Sequence, residues 1–461
     1  MTTTPVHADV VLRRMVAKAQ AHGRVPAVQA AIFRADRPLW TMQVGTTGND
    51  TALDEQTQFR IGSVTKTFTA VLVLQCRDDG LLDLDDPISR HLDVPALGQA
   101  TVRTLLAHTA GYQREPYGDV WDTMLAPDAA ELLDDLARCE RVLAPGRRFH
   151  YSNLGFAVLG QLVARLRGSS WEQLVIDRVT TPLGLASITV QPTGRAAVGH
   201  LVDAYSDHVR PEPATDFKGV GPAAQLWGTA TDLAKWAAFL NDPATVDPDG
   251  AVLSATTLEE MRWPHTTSEE AVWASGMGLG LMLAPGSGRV LQVGHYGAMP
   301  GFLAAVFGQR GGADTPRGFG AAVLGSAGNG DTVIELVHQL LTKSVELDPA
   351  EIAPWHPGEP VPTQYRSVLG RWWSEGFEHE FHWRNGALQS RAAGAPAGRP
   401  PSVFALVDGD PDLLRTVSGR ECGELLRLTR DAAGEVVRMN WATYRFTRAQ
   451  ETFDGINVSH G

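Results

Sequence analysis

In Ser63-Val64-Thr65-Lys66 a hydroxyl and an amine stand three residues apart, a spacing that puts two side chains on one face at the start of a helix. A serine hydroxyl is a weak nucleophile, but a lysine amine held in a desolvated, positively charged site can lose its proton near neutrality and accept the serine's. The N-terminus of a helix adds positive potential. Such a pair suits acyl transfer through a serine ester, although Ser63 alone also reads as an ordinary helix N-cap. Two further groups of residues carry compatible chemistry. Tyr151-Ser152-Asn153 lies after Pro145-Gly146 and before the apolar stretch from Leu154 to Leu162; its phenol can relay protons, and the Asn153 amide can bind a substrate carbonyl and fix the lysine. Gly294-His295-Tyr296-Gly297 falls on a predicted strand. There His295 can polarise a group or shuttle protons, Gly297 lets backbone approach a substrate, and the Ala298 amide can join that of Ser63 as an oxyanion hole. Taken singly, Tyr151 also reads as a packed aromatic and His295 as a structural histidine.

These groups need elements to hold them. Val25 to Gly45 reads as two strands around Ala35-Asp36-Arg37-Pro38, a sheet edge. Val64, Phe68, Val71, Leu72 and Gln75 recur at helical spacing up to Gly80, so Ser63 is expected to open a buried helix. Asp85 to Gly184 is helical and loop-rich, punctuated by prolines. Strand-like runs return at 290–293, 302–307 and 319–324, and 332–343 reads as an amphipathic helix. This order implies an α/β domain over residues 1–346: an antiparallel sheet flanked by helices, an α subdomain inserted between its early and late strands, and a cleft between them. Five prolines between Asp348 and Pro362 mark a stiff linker over 347–363. From 364 to 461 short alternating runs (378–383, 387–390, 403–407, 425–428, 436–441 and 444–447) and an Asn385-Gly386 turn predict a small antiparallel barrel or sandwich.

Composition narrows the function classes. The 461 residues are 43% hydrophobic and 20% charged, with a formal net charge of -12, a globular balance with no positive field or basic tract to hold nucleic acid. No apolar run is long enough to span a bilayer. The N-terminal stretch lacks an apolar signal-peptide core, and three scattered cysteines (Cys76, Cys139, Cys422) suit neither a disulfide framework nor a metal knuckle. A cytoplasmic enzyme without metal or cofactor is the expectation.

Phe-Arg-Ile-Gly-Ser-Val-Thr-Lys (59–66), Leu-Leu-Ala-His-Thr-Ala-Gly (105–111), Tyr-Ser-Asn and His-Tyr-Gly together resemble the ordered motifs of class C β-lactamases, D,D-peptidases and their esterase relatives. The likeness covers roughly residues 10 to 345, including Leu226 to Ala234. It implies the serine β-lactamase/D,D-peptidase-like fold, with His108 as a scaffold residue. His295 replaces the lysine of β-lactamases, which points toward peptidase, esterase or transferase relatives. A narrower resemblance, to stand-alone penicillin-binding-protein-type thioesterases, rests on Tyr-x-Asn, His-x-Gly, the Trp227-Gly228 pair and a C-terminal lipocalin-like barrel. It implies that Ser63 takes a linear nonribosomal peptide from a carrier-protein thioester, with Lys66 as base and His295 and Asn153 orienting the groups. The peptide's own amine would then close a macrolactam. By the same resemblance the peptide ends in a D-residue and begins with an L-residue. Trp227 and Gly228 are candidates for the wall facing the residue on Ser63, with core packing as the alternative for Trp227. The β-domain is expected to roof the cleft, with Arg445 as a candidate contact or a strand-face residue. Arg147 and Arg148 are the nearest basic pair for carrier docking, or plain surface. Two other readings fit the same motifs: a D-stereospecific peptidase or esterase that uses water, and a ligand sensor without turnover.

Overall fold

The computed structural model describes residues 5–49, 52–97, 100–146, 148–268, 274–328, 330–396 and 398–450. Its main sheet has eight antiparallel strands: β1 (Ala27–Phe33), β2 (Trp40–Gly45), β3 (Thr266–Thr267), β4 (Gly276–Met277), β5 (Met282–Pro285), β6 (Leu291–Met299), β7 (Phe302–Arg310) and β8 (Gly320–Gly325), in the order β2-β1-β8-β7-β6-β5-β4-β3. Early and late strands therefore meet at the β1–β8 pair, and most of the chain between them supplies helices. β1, β7 and β8 are almost continuously apolar because both faces of the sheet are covered. Side-chain alternation sorts them into two cores: Leu303, Ala305, Phe307, Ala321 and Val323 face one way, and Phe302, Ala304, Val306, Ala322 and Leu324 the other.

The helices α1 (Val6–Gly23), α2 (Thr65–Asp78), α3 (Asn153–Arg167), α4 (Ala230–Asn241) and α5 (Thr332–Leu347) divide between these cores. α1 and α5 pack together on the first face, and α2 and α4 belong to the second. Residues Thr65 to Cys76 of α2 are all buried, as expected for a helix wrapped on every side. Its hydroxyls are satisfied inside the core: Thr67 donates to the Val64 carbonyl and accepts from the Trp236 indole, and Thr69 donates to the Pro222 carbonyl. The Phe68 ring stacks on Trp236 at 4.0 Å between centroids, and a buried Phe of this kind holds its helix by about 3–5 kcal/mol relative to alanine. The nucleophile thus sits on a helix that has little freedom to shift.

The chain divides into two compact units, Met1–Glu351 and Ile352–Gly461. The second is a meander of eight antiparallel strands: β9 (Gly370–Ser374), β10 (Phe377–Arg384), β11 (Ala387–Ala392), β12 (Ser402–Val407), β13 (Asp410–Ser418), β14 (Leu425–Arg430), β15 (Val436–Trp441) and β16 (Tyr444–Phe446). A bridge between Trp373 and Thr447 brings the first and last strands together, giving a nearly closed barrel. Its core includes Trp372, Phe381, Leu388, Phe404, Leu426, Met439 and Trp441. β9 and β13 were not foreseen from the sequence.

Candidate active site

Ser63 lies in a short 3-10 turn, Gly62–Val64, that leads directly into α2. The turn needs Gly62, whose φ is +51° and whose Cα lies so close to β6 that an added Cβ would stand 2.7 Å from the Ala298 nitrogen. One helical turn on, the Lys66 amine is 3.0 Å from the Ser63 hydroxyl. It also donates to the Asn153 side-chain oxygen at 2.7 Å and to the Ala223 carbonyl at 2.9 Å. Lys66 has no exposed surface, and burial holds its pKa well below the ordinary lysine value, against a smaller opposing pull from Glu115. A neutral amine has two hydrogens and one lone pair. Two fixed acceptors use the hydrogens, which leaves the lone pair for the serine proton.

Tyr151 stands on the approach to α3, whose cap is Ser152; the Ser152 hydroxyl accepts from the Gly155 amide at 2.9 Å. The Tyr151 phenol shares a hydrogen bond with Ser63, and burial raises its pKa far above that of a free tyrosine. It is a phenol, not a phenolate, at neutral pH. The buried His108 ring stacks on it at 4.4 Å and accepts the Ser152 amide proton on Nδ1 at 3.0 Å. Burial first, then Lys66, lowers the pKa of this imidazole well below normal. His108 therefore acts as a neutral spacer that fixes the Tyr151 ring.

Arg114 and Glu115 were not singled out in the sequence, yet both line the cavity. The Arg114 carbonyl accepts from the Asn153 and Leu154 amides at 2.8 and 3.1 Å, which fastens this loop to the start of α3. Glu115 then accepts from the Asn153 side-chain nitrogen, Nδ2, at 2.7 Å. Asn153 was expected to bind a substrate carbonyl as well as the lysine; here it bridges Lys66 and Glu115. The Arg114 guanidinium lies 4.9 Å from the Tyr151 ring centre. Two charges of opposite sign thus border the reactive groups.

β6 runs unbroken from Leu291 through the third motif to Met299, but β5 pairs with it only over Leu291–Gly294. His295 faces α2, being in register with Val306 of the second core. Its Nδ1–H donates to the Tyr296 carbonyl at 2.5 Å, while its buried Nε2 has no partner among the described residues. Burial and the neighbouring Lys66 bring its pKa down to about 3. A group so reluctant to bind a proton is a hydrogen-bond acceptor at neutral pH rather than a proton shuttle. Gly297 is required for a different approach from the one expected: an added Cβ would lie 1.9 Å from the Ile61 carbonyl and 3.2 Å from the Ser63 nitrogen. The absent side chain lets the strand backbone press against the Ser63 turn. Ala298, the next residue, is exposed and lines the cavity.

The cavity measures about 1160 Å³ and includes Ser63, Tyr151, Asn153, His295, Gly297 and Ala298 in its wall, with Trp121 and Phe149 as aromatic surfaces. Trp227 and Gly228 are not among the lining residues. Trp227 is 3% exposed, packed edge-on to Phe302 at 5.5 Å and beside the Arg60 guanidinium. An added Cβ at Gly228 would meet the Ile188 Cδ1 at 2.4 Å, so the room it leaves is filled by core. Arg445 is half-buried on β16, opposite Asn440. Arg147 lies outside the described residues.

A family model described as Beta-lactamase matches residues 12–342, and one described as a domain of unknown function (DUF7586) matches 361–448. Penicillin-binding protein 4 of Amycolatopsis lactamdurans is 33% identical over 298 residues, 60% of this chain and 76% of that protein. Among solved structures, SurE is similar with a TM-score of 0.61 at 24% identity, over 96% of this chain and 99% of its own. D-amino acid amidase from Ochrobactrum anthropi SV3, complexed with L-phenylalanine amide, is similar with a TM-score of 0.60 at 24% identity, over 74% and 98%. These two likenesses concern the fold. With the Beta-lactamase model matching from Leu12 to Thr342 around the Ser63, Tyr151 and His295 motifs, the chain belongs to the family of serine β-lactamases and penicillin-binding proteins.

Proposed function

We propose that the protein is a serine acyltransferase that takes a linear nonribosomal peptide from its carrier-protein thioester and releases it by head-to-tail macrolactamisation. The observation that carries this reading is a buried amine 3.0 Å from a serine hydroxyl, opening on a cavity of about 1160 Å³. Sites for drug-sized ligands reach about 300–1,000 Å³, so this one has room for a peptide folded back on itself. In the first step Ser63 Oγ attacks the thioester carbonyl, its proton passes to Lys66, and the oxyanion rests on the Ser63 and Ala298 amides. The C–S bond breaks and the departing thiolate takes a proton through Tyr151. In the second step the peptide's terminal amine attacks the Ser63 ester, its proton returns to Ser63 Oγ by way of Tyr151 and Lys66, and the C–O bond breaks.

Water competes with the amine at ~55 M, and alignment must overcome it; well-oriented intramolecular groups reach effective molarities on the order of 10⁵ M or more. His295 Nε2, a fixed acceptor without a partner among the described residues, suits an incoming N–H. SurE has also been solved with D-Leu, in keeping with a D-residue at the peptide's C-terminus. The carrier protein is the proposed partner and the cytoplasm the proposed compartment. A second reading is favoured by the likeness to D-amino acid amidase: the same acyl-enzyme, hydrolysed by water. The two separate on incubation with a peptidyl thioester bearing a C-terminal D-residue. Intact-protein mass spectrometry should find the peptidyl adduct on Ser63, and the released peptide should be lighter than the linear acid by one water. Linear acid alone would leave only the hydrolytic reading.

A further inference from the structure

The barrel shows a polar layer where its other inward positions are apolar. Along β10 and β11 the inward residues include Phe381 and Leu388, but at one end they become His379 and Ser390; β9 likewise passes from Trp372 to Ser374, and β12 has Ser402 beside Phe404. Burying hydroxyls in a barrel is unfavourable unless each finds a partner. Ser402 donates to the Arg420 carbonyl at 3.0 Å, and Thr416 accepts from the Trp441 indole at 2.8 Å. The Ser390 and Ser374 hydroxyls, on residues 2% and 7% exposed, have no partner among the described residues.

Ser390 lines a small cavity together with Arg391, Arg399, Arg420 and His379. Three arginines line it and, among the described residues, no acidic residue does. Arg391 donates to the Pro396 carbonyl and Arg420 pairs with Glu421 at 3.0 Å, whereas the Arg399 side chain makes no bond among the described residues. The cavity has a volume of about 60 Å³ against the ~10–15 Å³ that one water needs, which leaves room for about four to six heavy atoms. Trp441 closes one side with an apolar surface.

We propose that this end of the barrel is a binding site for a compact oxyanion, a carboxylate or phosphate group held by Arg399 and Arg420 and by the Ser390 hydroxyl. An oxyanion accepts from several donors at once, which is what two guanidinium groups and an unpaired hydroxyl offer. His379, kept neutral by burial and by Arg420, adds a donor without adding a charge.

The test is isothermal titration of the full-length protein with sodium acetate and, separately, with sodium phosphate, against sodium chloride at constant ionic strength. At least one oxyanion should bind saturably at one site, and whichever does so identifies the carboxylate or the phosphate as the group recognised. Arg399→Gln and Ser390→Ala should each weaken that binding about tenfold. Acylation at Ser63 should be unchanged in both variants. Absence of saturable heat with either salt, or binding that both variants retain, would overturn the proposal. Arg399 is an exposed side chain, so Arg399→Gln decides the matter if Ser390→Ala fails to fold.

Discussion

At the scale of single residues, the direction of each pKa shift assigns the protons. Burial favours the neutral form of Lys66, His108, Tyr151 and His295, so Lys66 becomes an amine while Tyr151 remains a phenol. Of the two, only Lys66 can accept the serine proton near neutrality. Lys66→Ala should slow formation of the acyl-enzyme by on the order of 10²–10⁴-fold, the usual contribution of a positioned base, measured by single-turnover mass spectrometry. Lys66→Arg should fail to the same extent, because a guanidinium keeps its proton; activity in that variant would make the positive charge, not the lone pair, the working feature. The pH dependence has a defined sign. Acylation should be lost as pH falls through the lowered pKa of Lys66. Between that value and the 10.5 of a free lysine, the unfolded chain binds a proton that the native chain does not, so stability should rise with pH across that window. His295, at about 3, should place no limb between pH 6 and 8, and His295→Gln should alter the rate without altering the shape of the profile.

At the scale of elements, glycines decide how closely backbones meet. Gly228 can be tested directly because its obstacle is a single methyl group. Gly228→Ala should destabilise the protein by about 1–3 kcal/mol through overpacking, read as a drop in the denaturant midpoint. Ile188→Val removes the offending Cδ1 atom, so the double variant should recover most of the loss. Recovery would establish Gly228 as a packing residue; unchanged stability in the single variant would show that the Ile188 side chain can move aside, and the packing requirement would fall. This also shows what the sequence could and could not disclose. Ser63 and Lys66 were legible because both belong to one helical turn, and Tyr151 because it precedes an apolar helix with a serine cap. Arg114 and Glu115 carry no local signal, since their placement depends on a loop docking on a helix start far along the chain. Trp227 and Gly228 form a short strand against Arg60 and Phe59, a pairing no spacing announces. β13 escaped notice because Asp410-Pro411-Asp412 reads as a turn, and β9 because Gly370-Arg371-Trp372-Trp373-Ser374 does not alternate in hydrophobicity.

At the scale of the whole molecule, each unit has its own core, and every group assigned to acyl transfer, from Ser63 to Ala298, belongs to the first. Residues 351–360, between α5 and the barrel, are exposed throughout and form no regular structure; the apolar ring of Trp355 is 83% exposed there. Proteases need a strand-like segment free of tertiary structure, and exposed connections of this kind are where they cut. Brief digestion with chymotrypsin should cleave after Trp355 and yield two fragments that resist further attack. The larger should still form the acyl-enzyme at Ser63 in the mass-spectrometric assay, because none of its reacting groups lies beyond residue 298. The smaller should keep a β-type circular dichroism spectrum and a cooperative melt, as a nearly closed barrel with paired edge strands can do. Continued degradation of the smaller piece would show that its core does not suffice alone. Loss of acylation in the larger would show that the barrel contributes to the reactive geometry around Ser63, and the assignment of the chemistry to residues 63–298 would have to be revised.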